Sequence, residues 1–581
     1  MNTTHPTQTK TARFPALLLS ALLAGLIPAD AATQTVVHYT GQLTPLSAGL
    51  PLASTWKTLG RPSLTQQGTW VGFSATFATP GFGLGVFDGP SGSPFTCVLF
   101  GQNASTKLAP AVIFGPSVYF GKFFDPVFGD PEPLVGGKWA VISSLKTTFI
   151  LANGLTCNQG LWTGIGTQHR AVAFKNDDAY VPLPVGNNLG VATKLSAFRN
   201  IQMTPGGTLF YTATLKDGTL TKNSLWRYQF DLAEYNLNNG ICLAPSSLVL
   251  CVGQTIAPDP INFAGLTGTV LDIQALGEGT DITPSHGRVD ALNNTIPIHY
   301  RLLHSSSSTI YDVSATVNAG GILTTVGMSY VDGFYPGPGL NLVGSPQGFF
   351  GPDLPAGGAP VSTIRMLFGG SRVMDRNVPA YLATSAGSAP DFIGGPSGFN
   401  YVTPTSTVSG LDSSTADVSV VFKATRTAPA VLGTTGIFSN ANPSQTMRLV
   451  ANNHGLPPGF PLTAQYTAFR WLSHMDGKGP LFEATVINGT GSYGLWGCDP
   501  GSLGIGGDAQ LLLRWGDTLP LTIGFPVGPK TIKTFDCLSK VSYSMGQRRA
   551  WSYDAAAPVV RPVITRVRFL DGTYGIVRIT Y

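Results

Sequence analysis

Three stretches decide the fold: GTWVGFSATF at residues 68–77, GGTLFYTATL at 206–215 and GKGPLFEATV at 477–486. Each sets a glycine, four residues, an aromatic, any residue, then Ala, Thr and an apolar residue. Agreement of this length in three places marks an internal repeat, and a repeat governs the whole architecture. Looser copies end at YLATS (381–385), VFKATR (421–426) and WSYDA (551–555), with poorer ones at KWAVISSL (138–145) and IPIHYRLL (296–303). The anchoring positions are Phe73, Ile142, Tyr211, Tyr300, Tyr381, Phe422, Phe482 and Trp551, spaced 69, 69, 89, 81, 41, 60 and 69 residues apart.

Each copy is followed by a second apolar-aromatic run, ending at Phe87, Trp162, Trp226, Tyr311, Phe438 and Trp496. A third element ends in Gly-Gln or Gly-Asp: Gly101-Gln102, Gly253-Gln254 and Gly516-Asp517. The units therefore read as three or four short strands joined by Gly, Asn and Asp turns, which at this period predicts an all-β protein, a β-propeller of seven or eight blades. The short interval between Tyr381 and Phe422 marks the doubtful blade. The chain also has complementary ends. VVHYTGQLTP, with Gly41-Gln42, lacks the first strands of its unit, and the last unit lacks a Gly-Gln element. The N-terminal strand is expected to complete the last blade and close the ring.

The composition agrees. Among 581 residues, 71 are Gly and 44 are Pro, 43% are hydrophobic and only 11% are charged. Of the acidic residues only Glu132, Glu234, Glu278 and Glu483 are Glu, so a mostly helical chain is unexpected. Lys10 and Arg13 precede an apolar run, Phe14 to Ile27, and Ala29-Asp30-Ala31 forms an A-x-A site. Residues 1–31 thus read as a cleavable signal peptide, and 32–581 as one propeller-like repeat domain with long inserted loops. The run is too short to span a bilayer and no longer one follows, so no membrane span is expected in the mature chain. Without a hydrophobic C-terminal anchor, release is expected, to the periplasm or the outside.

This repeat resembles that of secreted tandem-repeat proteins with an NxxGxxxAF consensus, whose members carry various C-terminal anchors and have no established activity. The likeness is clearest in RPSLTQQGTWVGFSATF and in GLWGCDPGSLGIGGDAQLLLRWGDTLPL, with GQRRAWSYDA and FLDGTYGIVRITY following. Thr65 stands where the consensus Asn would precede Gly68. The resemblance implies the fold and an extracellular location, and carries no catalytic residue.

Loss of residues 1–31 removes Lys10, Arg13 and Asp30 and lowers the formal net charge from +5 to +4. With no Lys/Arg cluster, nucleic acid is not an expected partner. Six cysteines in an exported chain are disulfide candidates: Cys97, Cys157, Cys242, Cys251, Cys498 and Cys537, with Cys242 and Cys251 flanking an apparent hairpin. No CxxC spacing or His cluster marks a metal site, and no cofactor is expected. Asp-Gly pairs at Asp217, Asp332, Asp476 and Asp571 read as hairpin turns.

No nucleophile elbow, nucleotide loop or HExxH is present. Glu483 is the candidate for carboxylate catalysis, since alternation along its strand is able to turn it toward a central channel. Paired aromatics in Pro/Gly-rich stretches, Phe123 and Phe124, Phe334 and Tyr335, and Phe349 and Phe350, are candidate platforms for a sugar or a protein; the competing reading plugs them into their own blades. The expected function is non-catalytic binding of an extracellular polysaccharide or surface protein. The alternative is a propeller glycan hydrolase or lyase using Asp/Glu at the channel.

Overall fold

The protein's structure, a computed structural model, describes residues 32–44, 54–64, 70–78, 84–90, 96–100, 120–129 except 125, 136–179, 188–258 except 205 and 238–245, 266–273, 296–330, 333–334, 346–350, 365–368, 372–375, 380–384, 387–391, 396–403, 412–413, 420–440, 446–475, 479–498 except 490, 509–521, 528–537 and 562–581. Over these it is all-β, with one short α-helix at Leu232–Leu237 and one 3-10 turn at Ala430–Leu432. No helix among the described residues is long and apolar enough to cross a membrane.

The strands fall into eight antiparallel sheets, each with a four-strand meander as its body. Sheet 1 runs Trp56–Leu59, Trp70–Phe77, Leu84–Pro90, Thr96–Phe100, and sheet 2 runs Phe120–Phe123, Lys138–Ile150, Thr156–Ile165, Gln168–Phe174. Sheet 3 runs Lys194–Met203, Thr208–Asp217, Leu220–Gln229, Ser247–Cys251, and sheet 4 runs Gly268–Ile273, Ile296–His304, Ile310–Val317, Leu323–Tyr330. Sheet 5 is Pro346–Phe350, Arg365–Phe368, Arg372–Asp375, Ala380–Thr384; sheet 6 is Pro396–Thr403, Val420–Arg426, Thr435–Ser439, Arg448–Asn452. Sheet 7 is Gln465–Met475, Gly479–Ile487, Tyr493–Cys498, Ala509–Arg514. Sheet 8 takes Lys530–Asp536, Val563–Phe569 and Tyr574–Thr580 from one end of the chain and Thr33–Tyr39 from the other, paired from Thr33↔Thr580 to Tyr39↔Gly575. The complementary ends thus share a sheet.

The repeat's two aromatic positions are paired in register across the second and third strands: Phe73↔Phe87, Tyr211↔Trp226, Phe422↔Phe438 and Phe482↔Trp496. Phe482 and Trp496 stack at 5.7 Å and 14°, Tyr211 and Trp226 at 6.3 Å and 10°. Such cross-strand pairs are the unit of sheet stabilisation. The ring also explains the Gly two places earlier: a Cβ at Gly494 or Gly160 would lie 2.8 or 2.6 Å from Cη2 of Trp496 or Trp162. Where Ser224 replaces this Gly, its hydroxyl instead accepts the Trp226 indole N–H at 2.7 Å.

This register corrects several anchors. In sheet 2 the partner of Trp162 is Val141, and Ile142 is one residue out and on the other face. In sheet 4 the equivalent pair is Ile298↔Ala315, two residues from Tyr300. Tyr381 belongs to the fourth strand of sheet 5, whose second strand is Arg365–Phe368, and this misplacement created the short interval before Phe422. Trp551 lies outside the described residues.

Successive sheets are neighbours. Shared cores join sheet 2 to 3, 3 to 4, 6 to 7 and 7 to 8. Phe128 covers Gly72 between sheets 1 and 2, and strand contacts link sheet 4 to 5 and 5 to 6. Sheet 8 also packs on sheet 1, where Trp56, Phe73 and Phe77 meet Ile564 and Ile576.

The Gly-Gln and Gly-Asp elements among the described residues are links between sheets, and Gly101-Gln102 lies outside those residues. Gly516 adopts φ +91°; its N–H donates to Ile532 O, Asp517 N–H donates to Arg514 O, and Ile532 N–H donates back to Asp517 O. Gly41 with Trp56 and Gly253 with Val270 repeat this pattern. So do Asn176 (φ 69°) with Leu195 and His454 (φ 75°) with Tyr466, two copies whose residues hide them in the sequence. In the glycine copies the following side chain caps the clasp: Tyr39, Cys251 and Arg514 N–H groups donate to Gln42, Gln254 and Asp517 at 3.1, 3.0 and 2.8 Å.

Candidate functional site

The first strand of each sheet follows the link from the preceding sheet, and all eight carry a β-bulge at the same register. The bulge residues are Lys57, Gly121, Ser196, Leu271, Gln347, Val402, Thr467 and Lys533. A bulge re-aims the side chains that follow it. Here it lets residues three apart both turn inward: Trp56 and Leu59, Phe120 and Phe123, Leu195 and Phe198, Val270 and Ile273, Tyr466 and Phe469, Ile532 and Phe535 are all buried. The residues between and just beyond them face out, and this repeated outward row is the candidate site.

Its charge is uneven. Lys57 and Lys533 occupy the bulge itself, Lys122 the next place, and Arg199 and Arg470 the third place after it; all five are exposed. They come from sheets 1, 8, 2, 3 and 7. Among the described residues none of the five meets a carboxylate. Leu271 of sheet 4 and Val402 of sheet 6 hold the bulge as exposed apolar groups. The first strands' remaining lysines are tied elsewhere, Lys194 to Asp178 and Lys530 to Asp571. Asp536 is held by Arg566 at 2.5 Å. Hydroxyls add to the row, with Thr58 and Thr467 bonded to Thr76 and Thr485 on the second strands at 2.5 and 2.6 Å.

The sequence candidates fall differently. Phe123 is no platform: it is the inward residue two places after a bulge, 4.9 Å from Phe120 in the core of sheet 2. Phe124, 42% exposed, stands in the outward row beside Lys122, whose ammonium lies 5.4 Å from the ring centroid. Tyr335 and the side chains of Phe334, Phe349 and Phe350 lie outside the described residues.

Glu483 faces no channel. It sits one place after Phe482 at 0% exposure, opposite Leu495, on the face that packs against sheet 8. Tyr493 lies on the same face; its hydroxyl accepts the Phe535 N–H at 3.0 Å, and burial, reinforced by the Glu483 charge, pushes the phenol up to about 12. A carboxylate enclosed between two sheets is out of reach of a glycosidic oxygen, which two-carboxylate hydrolysis requires.

The sulfurs of Cys157, Cys251, Cys498 and Cys537 are buried, and among the described residues no two cysteines are joined. Burial pushes the Cys157 thiol up to about 11. Cys242 and the side chain of Cys97 lie outside the described residues, and the Cys242–Cys251 pairing with them. The Asp217-Gly218 and Asp571-Gly572 pairs do close hairpins, with Gly218 at φ 57° and Gly572 at φ 84°. Among the described residues no three His, Cys, Asp or Glu gather to hold a metal.

The five cations carried no local motif. Their signal was the apolar pair spaced by two residues, WKTL, FGKF, LSAF, YTAF and IKTF, which a strict two-residue period passes over.

No family model and no curated protein matches the chain. Among solved structures, the chain is similar to the GH93 α-L-arabinofuranosidase of Fusarium graminearum in complex with arabinobiose, at 10% identity over 79% of this chain and 98% of that one, with a TM-score of 0.22. A GH43 protein of Bacillus licheniformis, BlXynB, is similar at 10% identity over 94% of this chain and 98% of that one, with a TM-score of 0.15. Likeness at these scores carries no argument about chemistry.

Proposed function

We propose that the eight sheets are the blades of a closed β-propeller of the NxxGxxxAF-repeat type, exported by its signal peptide, that binds an extracellular polysaccharide without cleaving it. The observation that carries this reading is the outward row, repeated at one register on the first strands whose side chains are described, in which cations, hydroxyls and the Phe124 ring stand exposed. In a propeller the blades surround a central channel, so equivalent edges converge on one ligand. Glu483, the carboxylate the alternative hydrolase would use, is buried away from that row. Function is read from such a site rather than from the fold.

The test is a panel of neutral and acidic polysaccharides offered to the mature protein, with binding and product followed together. Binding without new reducing ends or unsaturated sugars is the expected result. Product release would establish the hydrolase or lyase instead, and failure to bind any member of the panel would overturn the reading.

A further inference from the structure

The five exposed cations are not scattered among the sheets. Sheet 8 packs on sheet 7 on one side and on sheet 1 on the other, and sheets 1, 2 and 3 follow in order. Arg470, Lys533, Lys57, Lys122 and Arg199 therefore lie one each on five consecutive sheets, 7, 8, 1, 2 and 3. Sheets 4 and 6 offer Leu271 and Val402 at the bulge instead. Among the described side chains the row thus has a cationic arc on five sheets and apolar bulges on sheets 4 and 6.

Among the described residues none of the arc's five cations is paired with a carboxylate. Arg470 rests near the Tyr493 ring at 5.8 Å and Lys122 near Phe124 at 5.4 Å, and neither ring neutralises the charge. Like charges on successive strands repel one another unless a polyanion lies along them, and a surface of one sign raises the local concentration of its counter-ion. The two other features of the arc select the polymer. Phe124 stands exposed beside Lys122 as a flat apolar face, and Thr58, Thr467 and Thr534 are exposed between the cations. Ring stacking with hydroxyl contacts suits a pyranose, and spaced single cations suit one carboxylate per sugar.

We propose that the first strands of sheets 7, 8, 1, 2 and 3 form one binding site for an acidic polysaccharide, in which Arg470, Lys533, Lys57, Lys122 and Arg199 pair with its carboxylates and Phe124 stacks on a sugar ring. This deepens the polysaccharide reading above and depends on it.

The experiment titrates fluorescent oligogalacturonate, neutral dextran and single-stranded oligo-dT into the mature protein at low and at physiological salt. Oligogalacturonate is expected to bind, and to weaken as salt screens the arc. The Lys57→Glu/Lys533→Glu double variant is expected to weaken it by roughly tenfold or more and to flatten the salt dependence. Lys146→Glu/Lys216→Glu makes the same change in net charge at exposed positions off the row and is expected to leave binding unchanged. Phe124→Ala is expected to weaken binding several-fold with the salt dependence intact. All are surface substitutions, and an unchanged melting temperature verifies folding.

Equal loss in both double variants would reduce the effect to net charge and overturn the proposal. Dextran binding that ignores the arc variants would also overturn it while leaving the polysaccharide reading in place. Tighter binding of oligo-dT would assign the arc to nucleic acid instead, and binding of no glycan would remove both readings.

Discussion

Sheets 7 and 8 have the same backbone and almost no sequence in common. Sheet 7 carries the whole signature: Phe482 stacked on Trp496, Ala484 and Thr485 after it, and the Gly516-Asp517 clasp. At the same places sheet 8 has Thr565 opposite Val577, then Val567 and Arg568, with its clasp at Gly41-Gln42. Yet the first strands bulge alike at Thr467 and Lys533, and the fourth strands bulge alike at Leu512 and Val37. The fourth-strand bulge recurs in all eight sheets, always at Val or Leu: Val98, Val172, Val249, Val326, Leu382, Val450, Leu512 and Val37. The repeat is therefore kept by bulges and clasps, and the aromatic pair is one filling among several. By this criterion Thr33–Tyr39 is a true fourth strand, although it enters from the opposite end of the chain.

The most drastic way to break the comparison is to delete residues 32–39. Sheet 8 then loses Val36, His38 and Tyr39 from cores it shares with sheets 7 and 1, and exposes the edge of Tyr574–Thr580. Loss of a cooperative thermal transition is expected. Because Thr33 pairs with Thr580, moving the same residues behind Tyr581 through a short turn rebuilds the hairpin, and calorimetry of that permutant is expected to recover a transition. If the deletion melts like the full chain, the end strand is dispensable.

A milder break compares the two fillings. Trp496→Ala is expected to cost about 3–5 kcal/mol, and Val577→Ala about 2 kcal/mol, since a smaller side chain leaves a smaller cavity. Urea unfolding of the two variants measures the difference, and equal losses would show that sheet 8 is held as tightly by its small residues as sheet 7 is by its rings.

How much of this the sequence disclosed follows from the same contrast. Phe73, Tyr211, Phe422 and Phe482 are legible because each stands two places before an Ala-Thr pair in a repeated strand. Val141 and Ile298 fill that place without an aromatic, so the expected anchors Ile142 and Tyr300 stand one and two residues out of register, and the expected anchor Tyr381 belongs to a fourth strand. The end-strand pairing was legible because Gly41-Gln42 needs both a positive φ and a cap. Asn176 and His454 make the same clasp without glycine and went unseen. The outward row was hidden for a physical reason: a bulge breaks the two-residue alternation by which a strand's faces are read. The same break put Phe123 inside and Phe124 outside.

A third difference between the sheets is chemical. At the fourth-strand position where sheet 7 has Leu513 and sheet 3 has Leu250, sheet 8 has His38, buried with its ring 5.7 Å from both Trp56 and Phe73. Burial lowers its pKa from 6.5 to about 4, against a raising hydrogen bond with Gln42. The folded state thus keeps His38 neutral while the unfolded chain binds a proton below pH 6.5. Its contribution is present in full above that pH and declines as pH falls toward 4, by roughly 3 kcal/mol in all. Denaturant titrations between pH 7 and pH 4 should show this decline, and His38→Leu, which copies sheet 7, should remove it. An unchanged slope in that variant would place the pH dependence elsewhere.

The smallest effects concern the clasps themselves. Gly516 at φ +91° and Gly41 at φ +91° hold a conformation that a Cβ disfavours, so Gly516→Ala and Gly41→Ala are each expected to cost about 1–2 kcal/mol. Nothing lies within 4 Å of a Cβ built at Gly41, so at that position the cost is backbone strain alone. Asn176→Gly relieves the same strain in the link from sheet 2 to sheet 3, but loosens the unfolded chain and gives up the hydrogen bond its side chain donates to Thr156 O at 2.8 Å. These terms oppose, and a change within about 0.5 kcal/mol is expected. If chemical denaturation instead finds Gly41→Ala as harmless as Asn176→Gly, the clasp is a consequence of how the sheets pack, and the bulges alone carry the repeat.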